Sequence, residues 1–217
     1  MMQQFLANVD PFKRLTPAEL QQVASVSRER GFAKGETVFR QNEQADAVWV
    51  VRTGRVHLMN FFADGRASTT CVMTPGETFC CLSTLDRKAY PVDAIAAVDS
   101  TLVRVPLEMF HQAMAKSREF ASQTLCLFCD RLRQVEHKSC TAYEPAEKRI
   151  AQVLLTLQKK FGETIPLTRH ELAELAGTTH ETAIRTLSRF KQQGWIRSVR
   201  GKTTIVHPKH LSELVRS

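Results

Sequence analysis

The spacing of apolar positions changes several times along this chain, and each change predicts an element. Leu20, Val23 and Ala24 fall at i, i+3 and i+4, one face of a helix predicted over Val9–Ser27. Thr16 ahead of Pro17 is a helix entry signal, and Glu19 lies in the first turn. From Phe32 to Val105 the period shortens to that of strands: G-E-T-V-F-R-Q, V-W-V-V, R-V-H-L-M-N-F-F, T-T-C-V-M, A-I-A-A-V and T-L-V-R-V-P. Gly35, Gly54, Gly65 and Gly76 punctuate these runs, and Asn42 tolerates a left-handed turn. Short strands with turn residues between them predict a small antiparallel barrel or roll.

The helical period returns over Pro106–Lys138, where Ser117 can cap a second helix. Ala121, Leu125, Phe128, Leu132, Val135 and Ser139 then keep the alternating four-and-three spacing of a heptad seam. Such a stripe packs a domain core or joins two copies of a chain. Tyr143-Glu144-Pro145 breaks the pattern and marks a hinge. Beyond it, Ile150, Val153, Leu154 and Leu157 make the buried side of a helix over Ala146–Lys160.

Thr168–Gln193 predicts two short helices joined by a tight turn. Thr168 with Glu171 is a capping box, and Leu172, Leu175 and Ala176 form one apolar face. Gly177 frees the turn, and Thr178 or Thr179 caps a second helix. That helix buries Ala183, Leu187 and Phe190 and shows His180, Glu181, Arg185, Arg189 and Lys191 on the other side. A helix fits the major groove of DNA, where Arg bonds guanine O6 and N7 and Glu accepts from cytosine N4. Glu181 and Arg185 share one face near the helix start, the end that reaches base edges in a helix-turn-helix. The plainer reading is a solvated Glu–Arg pair. The C-terminal segment favours DNA: W-I-R-S-V and T-T-I-V-H flank Arg200-Gly201-Lys202, a hairpin with a basic tip, and a helix over Lys209–Val215 closes the chain. Lys202 at that tip is placed for phosphate.

Charge supports this placement. The 217 residues carry a net charge of +8, and the segment from Glu144 onward has 13 Lys and Arg against 7 Asp and Glu. The basic excess therefore sits at the helix-turn-helix end, as phosphate binding requires. The N-terminus lacks the pattern of a signal peptide and no apolar run spans a bilayer, so a cytoplasmic protein without a membrane partner is expected. The six cysteines (Cys71, Cys80, Cys81, Cys126, Cys129, Cys140) are then expected to be reduced, and none has zinc-finger spacing with histidine. Cys126 and Cys129 read as helical packing, with a redox pair as the alternative.

T-H-E-T-A-I-R, preceded by L-A-E-L-A-G, resembles the recognition helix of the CRP/FNR family of bacterial transcription regulators. The shared E-T-x-x-R pattern is carried by Glu181, Thr182 and Arg185; His180 stands where the family commonly has Arg, and Ile184 where a small residue is common. K-G-E-T-V-F-R-Q-N, V-V-R-T-G-R-V-H-L and P-G-E-T-F resemble the family's cyclic-nucleotide-binding-like roll.

The resemblance implies an α+β chain: an N-terminal antiparallel β-roll of jelly-roll type, a long dimerisation helix and a C-terminal winged helix-turn-helix. The boundaries are 1–116 for the sensor domain, 117–142 for the dimerisation helix and hinge, and 143–217 for the DNA-binding domain. It implies a homodimer joined through Ala121, Leu125, Phe128, Leu132 and Val135, on a palindromic operator with TGTGA-like half-sites. Thr179, His180, Glu181, Thr182, Arg185, Arg189 and Lys202 would meet the DNA, and RNA polymerase is the further candidate partner.

The resemblance also locates an effector pocket at Gly76, Glu77, Cys80, Cys81, Tyr90, Pro91 and Val92. Cyclic-nucleotide members place a Glu for the ribose and an Arg-Ser for the phosphate there. This chain aligns Cys81 with that Glu and Pro91-Val92 with that Arg-Ser, while Arg87 is out of register. A cyclic phosphate needs a cationic fork and donors, so no cAMP binding of functional strength is expected. Residues 1–70 hold no cysteine, so an N-terminal iron–sulfur cluster is not expected either. F-C-C-L-S resembles the haem-binding segment of the family's carbon monoxide sensor, which makes Cys80, or His57, a candidate haem ligand. Thiol sensing by Cys80 and Cys81, or simple burial, are the other readings. An enzyme is not expected, because a cupin-type site needs clustered histidines and the roll offers His57 without a neighbouring H-x-H. A ligand-binding adaptor docking on an acidic protein partner is the remaining alternative.

Overall fold

Alternating apolar residues in the first half build two antiparallel sheets with a core between them. The computed structural model describes residues 1–62, 67–80, 83 and 85–216, apart from the side chains of His137 and Lys138. Strands β1 (Arg28–Phe32), β2 (Thr37–Phe39), β3 (Ala47–Thr53), β4 (Val56–Phe61), β5 (Ala67–Met73), β6 (Thr78–Phe79), β7 (Asp93–Ala96) and β8 (Ser100–Pro106) form sheets of order β1-β8-β3-β6 and β2-β7-β4-β5. Phe32, Phe39, Trp49, Leu58, Met73, Phe79, Tyr90 and Leu102 fill the space between them.

The V-W-V-V run of β3 is apolar throughout because both of its faces are covered. Trp49 and Val51 face the roll interior. Val48 and Val50 face a second core with Leu6, Phe12, Leu20, Phe110 and Phe120 from the flanking helices. Gly54 closes the β3–β4 turn at φ +88°, where a Cβ would meet Ser100 Oγ at 2.2 Å and the Asp99 carbonyl at 2.6 Å.

Of the helix expected over Val9–Ser27, the structure keeps α2, which starts at Pro17 and ends at Val26; a 3-10 turn (Phe12–Arg14) precedes it, and a separate helix α1 (Met2–Leu6) lies ahead of the expected span. Proline explains the late start: Thr16 before Pro17 is extended at ψ 158°, as the Pro ring demands. Thr16 closes a full capping box, since its N–H donates to Glu19 Oε2 at 2.9 Å and its hydroxyl accepts from the Glu19 N–H at 3.4 Å. The same Thr16 N–H, followed by its hydroxyl, holds the Glu19 carboxyl below its usual range. Strand β1 escapes the sequence pattern because it is an edge strand paired with β8 alone, and four of its five residues are exposed.

Helix α3 (Leu107–Lys116) ends at Ser117, whose hydroxyl accepts from the Phe120 N–H at 3.2 Å at the start of α4 (Arg118–Thr141). After Pro145 come α5 (Ala146–Phe161), β9 (Thr164–Ile165), α6 (Arg169–Leu175), α7 (His180–Gln192), β10 (Ile196–Val199), β11 (Lys202–Ile205) and α8 (Pro208–Arg216). The three strands form a sheet of order β10-β11-β9, in which β9 is unanticipated because it has only two residues. Ile150, Leu154, Ile165, Leu172, Leu187, Phe190, Ile205 and Leu211 are buried in this half of the chain.

The chain forms two compact units: Met1–Asn60 with Thr70–Val135, and Phe61–Thr69 with Glu136–Ser217. Among the described residues, no helix is long and apolar enough to cross a membrane.

Candidate nucleic-acid interface

Two caps and a left-handed glycine set the helix-turn-helix. The Thr168 N–H donates to Glu171 Oε2 at 2.6 Å and its hydroxyl accepts from the Glu171 N–H at 3.2 Å, which completes the capping box of α6. Gly177 follows α6 at φ +58°. Thr179 is the cap of α7: its hydroxyl accepts from the Thr182 N–H at 3.2 Å and donates to Thr182 Oγ1 at 2.9 Å. Below the helix Ala183, Leu187 and Phe190 are buried; His180, Glu181, Arg185 and Lys191 are exposed. Glu181 and Arg185 thus stand together near the N-terminal end of a helix whose far side is fixed in the core.

Two predicted contacts have protein neighbours. The guanidinium of Arg189 is paired with Glu147 on α5. The ring of His180 lies edge-to-face with that of His170 on α6, centroids 5.5 Å apart, and His170 Nε2 is 3.4 Å from a Glu174 carboxylate oxygen. The wing is the β10–β11 hairpin, with Ile196 opposite Ile205 and Val199 opposite Lys202. Gly201 turns its tip at φ +74°, leaving Arg200 and Lys202 exposed. Behind α7, Trp195 stacks on Phe190 and on His210, with centroids 5.2 Å and 5.5 Å away.

The segment expected to hold an effector is built differently. The Gly76 N–H donates to the Val51 carbonyl at 2.8 Å. Glu77 Oε2 accepts from the Thr74 N–H at 2.7 Å and the Thr74 hydroxyl at 2.8 Å, so this carboxylate closes its own turn. Cys80 is half-buried against the roll core at φ +63°, and Cys81 lies outside the described residues.

Tyr90 is a core residue. It stacks on Phe39 with centroids 3.8 Å apart, donates to the Ala47 carbonyl at 3.1 Å and accepts from Trp49 Nε1 at 3.3 Å. Burial pushes its phenol above the usual range. Pro91 is exposed, Val92 is half-buried against the core, and the Arg87 guanidinium lies 3.8 Å from Glu108.

The two haem candidates do not converge. Val56 and Leu58 face the interior with Cys80. His57 between them therefore points to the other face of the sheet, where it is buried. A haem on this chain would have one of them as ligand, not both.

On α4, Leu125, Leu132 and Val135 are 56%, 58% and 51% exposed, while Phe128 packs on the second core and Ala121 is half-buried. Cys126 and Cys129, expected to pack, are exposed and free. The seam turns inward at Phe128, and both thiols lie away from that contact.

Comparison with known proteins covers both halves. Residues 29–117 match the cyclic nucleotide-binding domain family, and residues 148–214 match the Crp-like helix-turn-helix domain. The cyclic AMP receptor protein of Thermus thermophilus is 28% identical over 205 residues, covering 94% of this chain and 95% of its own length. The transcriptional activator protein FnrA of Stutzerimonas stutzeri is 27% identical over 178 residues, 78% of this chain and 72% of its own. The structure of FixK2 from Bradyrhizobium japonicum shares the fold, with a TM-score of 0.81 at 24% identity over 87% of this chain and 97% of FixK2. With roll and helix-turn-helix both matched, in this order, the chain belongs to the CRP/FNR family of DNA-binding transcription regulators, which are not enzymes.

Proposed function

We propose that this regulator acts as a homodimer on palindromic DNA and answers a signal other than cAMP. Residues 1–116 would receive the signal, 117–142 would join the protomers and carry the hinge, and 143–217 would read the operator. The observation that carries the DNA reading is the exposed Glu181–Arg185 pair on the outer face of α7, whose inner face is buried. Arg185 bonds a guanine and Glu181 a cytosine. His180 offers one donor at the adjoining base, where Arg would offer two. Thr182 and Lys202 donate to phosphate, and Thr179, whose hydroxyl proton lies on Thr182, fixes the helix start beside them. Arg189, held by Glu147, is less available to DNA than the other cations.

The exposed Leu125, Leu132 and Val135 support a dimer seam on α4. Two-fold symmetry would then set the half-sites about one helical turn apart. A gel shift with genomic fragments, followed by selection from a randomised duplex library, tests both. The expected result is an inverted repeat with TGTGA-like arms; a preference shared equally by all duplexes overturns it.

The Thermus thermophilus relative bears cAMP in its name, but the residues of this chain favour another signal. Pro91 and Val92 occupy the positions of the phosphate anchor, Glu77 closes its own turn, Arg87 faces Glu108, and Tyr90 fills the roll interior. Calorimetry with cAMP should show no binding in the sub-micromolar range, and such binding would refute this part. A Soret band on reconstitution with haem, lost in Cys80→Ala, would identify the input as haem.

A further inference from the structure

The first turn of α5 carries two charged side chains that reach into the helix-turn-helix. Glu147 pairs with Arg189 in the third turn of α7. Arg149, two residues on, donates from Nη1 to the Gly177 carbonyl at 3.1 Å, and the same nitrogen lies 3.5 Å from the Ala142 carbonyl. Gly177 is the left-handed residue between α6 and α7. Ala142 is the first residue beyond α4. One guanidinium therefore holds the chain leaving the long helix and the turn that launches α7. Its planar fork is stiffer than an ammonium, so it fixes the spacing of the groups it bonds. Arg149 Nε is buried and makes no hydrogen bond among the described residues, a cost tolerated for the sake of the Nη1 contacts.

We propose that Glu147 and Arg149 are positioning residues. Arg149 fastens the entry of α7 to the segment leaving α4, and Glu147 fastens the third turn of α7 to the helix that follows that segment, so a change in the path of residues 141–145 turns the base-reading face. Neither needs to touch DNA. The Glu147–Arg189 pair is partly exposed, and such pairs add little to stability, so its value lies in orientation. This inference rests on the reading of α7 as the recognition helix.

The test uses the full chain, a duplex selected by the wild type from a randomised library, and a random duplex of equal length. The readouts are the ratio of the two affinities and the thermal midpoint. Glu147→Gln and Arg149→Lys should each lower the ratio roughly three- to thirtyfold, with the midpoint near that of the wild type. Exchange of the pair, Glu147→Arg with Arg189→Glu, should restore most of the ratio. Arg189→Gln should lower the ratio to about the same extent as Glu147→Gln. A ratio unchanged in both single variants overturns the proposal. So does a fall of both affinities in step with the midpoint, which is loss of fold. If the wild type selects no sequence at all, it is the reading of α7 that fails, before the variants are compared.

Discussion

Helix α7 lies in the match to the Crp-like helix-turn-helix domain and residues 76–92 in the match to the cyclic nucleotide-binding domain, and the two differ in what holds their side chains. On α7 the polar groups point outward from a capped helix, and local spacing decides their direction. At two positions in residues 76–92 they turn onto the protein instead: Glu77 onto Thr74, Tyr90 onto Trp49 and Ala47. A site that faces solvent can be read from periodicity. A site inside a roll is decided by strands far away in sequence, so residue identity alone does not say whether a side chain waits for a ligand or fills the core.

The largest test of this contrast is Tyr90→Ala. If Tyr90 is packing, removing the ring should cost about 3–5 kcal/mol of unfolding free energy, as for other buried aromatics, measured by urea denaturation. A loss near zero would mean that the ring is held loosely and is free to meet an effector. Tyr90 also predicts an alkaline limit. Its folded phenol titrates above the unfolded value, so the stabilisation is intact below the ordinary phenol pKa and fades as pH rises through the folded one. Denaturation midpoints above the neutral range should fall in the wild type and stay flatter in Tyr90→Phe.

Arg185→Ala comes next. It should cost about 1–3 kcal/mol on the selected operator and relax the choice at one G·C pair, without moving the thermal midpoint. Equal losses on operator and random DNA would remove its base-reading role. Thr168→Ala should cost about 1 kcal/mol of stability through the lost capping box; Thr16→Ala, the matching box in the other unit, should cost about the same. Unequal losses would show that one box carries tertiary as well as local weight. Lys202→Ala is the smallest: binding weakens alike on all sequences and the salt slope drops by about one.

Legibility follows the same divide. Helices α6 and α7, their caps and the wing tip are written in adjacent residues, and so is the heptad spacing on α4. Strand β1 is not, because R-E-R-G-F is a mostly exposed edge and shows no alternation. The helix expected over Val9–Ser27 is too long because its apolar spacing continues across residues that Pro11 and Pro17 remove from the helix. Cys126 and Cys129 have the spacing of packing residues, yet their exposure depends on which way α4 is turned. Glu147, Arg149 and Arg189 give no signal, since their partners lie on other helices.

The protein has two tryptophans, one in each unit. Trp49 sits in the roll core with its indole N–H on the Tyr90 phenol. Trp195 stacks on Phe190 of α7 and on His210. Indole emission responds to the polarity and contacts around the ring, so each unit contains its own optical probe. Replacing one indole by phenylalanine leaves the other to be watched alone. After rapid mixing with a candidate effector, the interval between the two emission changes would time any delay between a change in the roll core and a change beside α7.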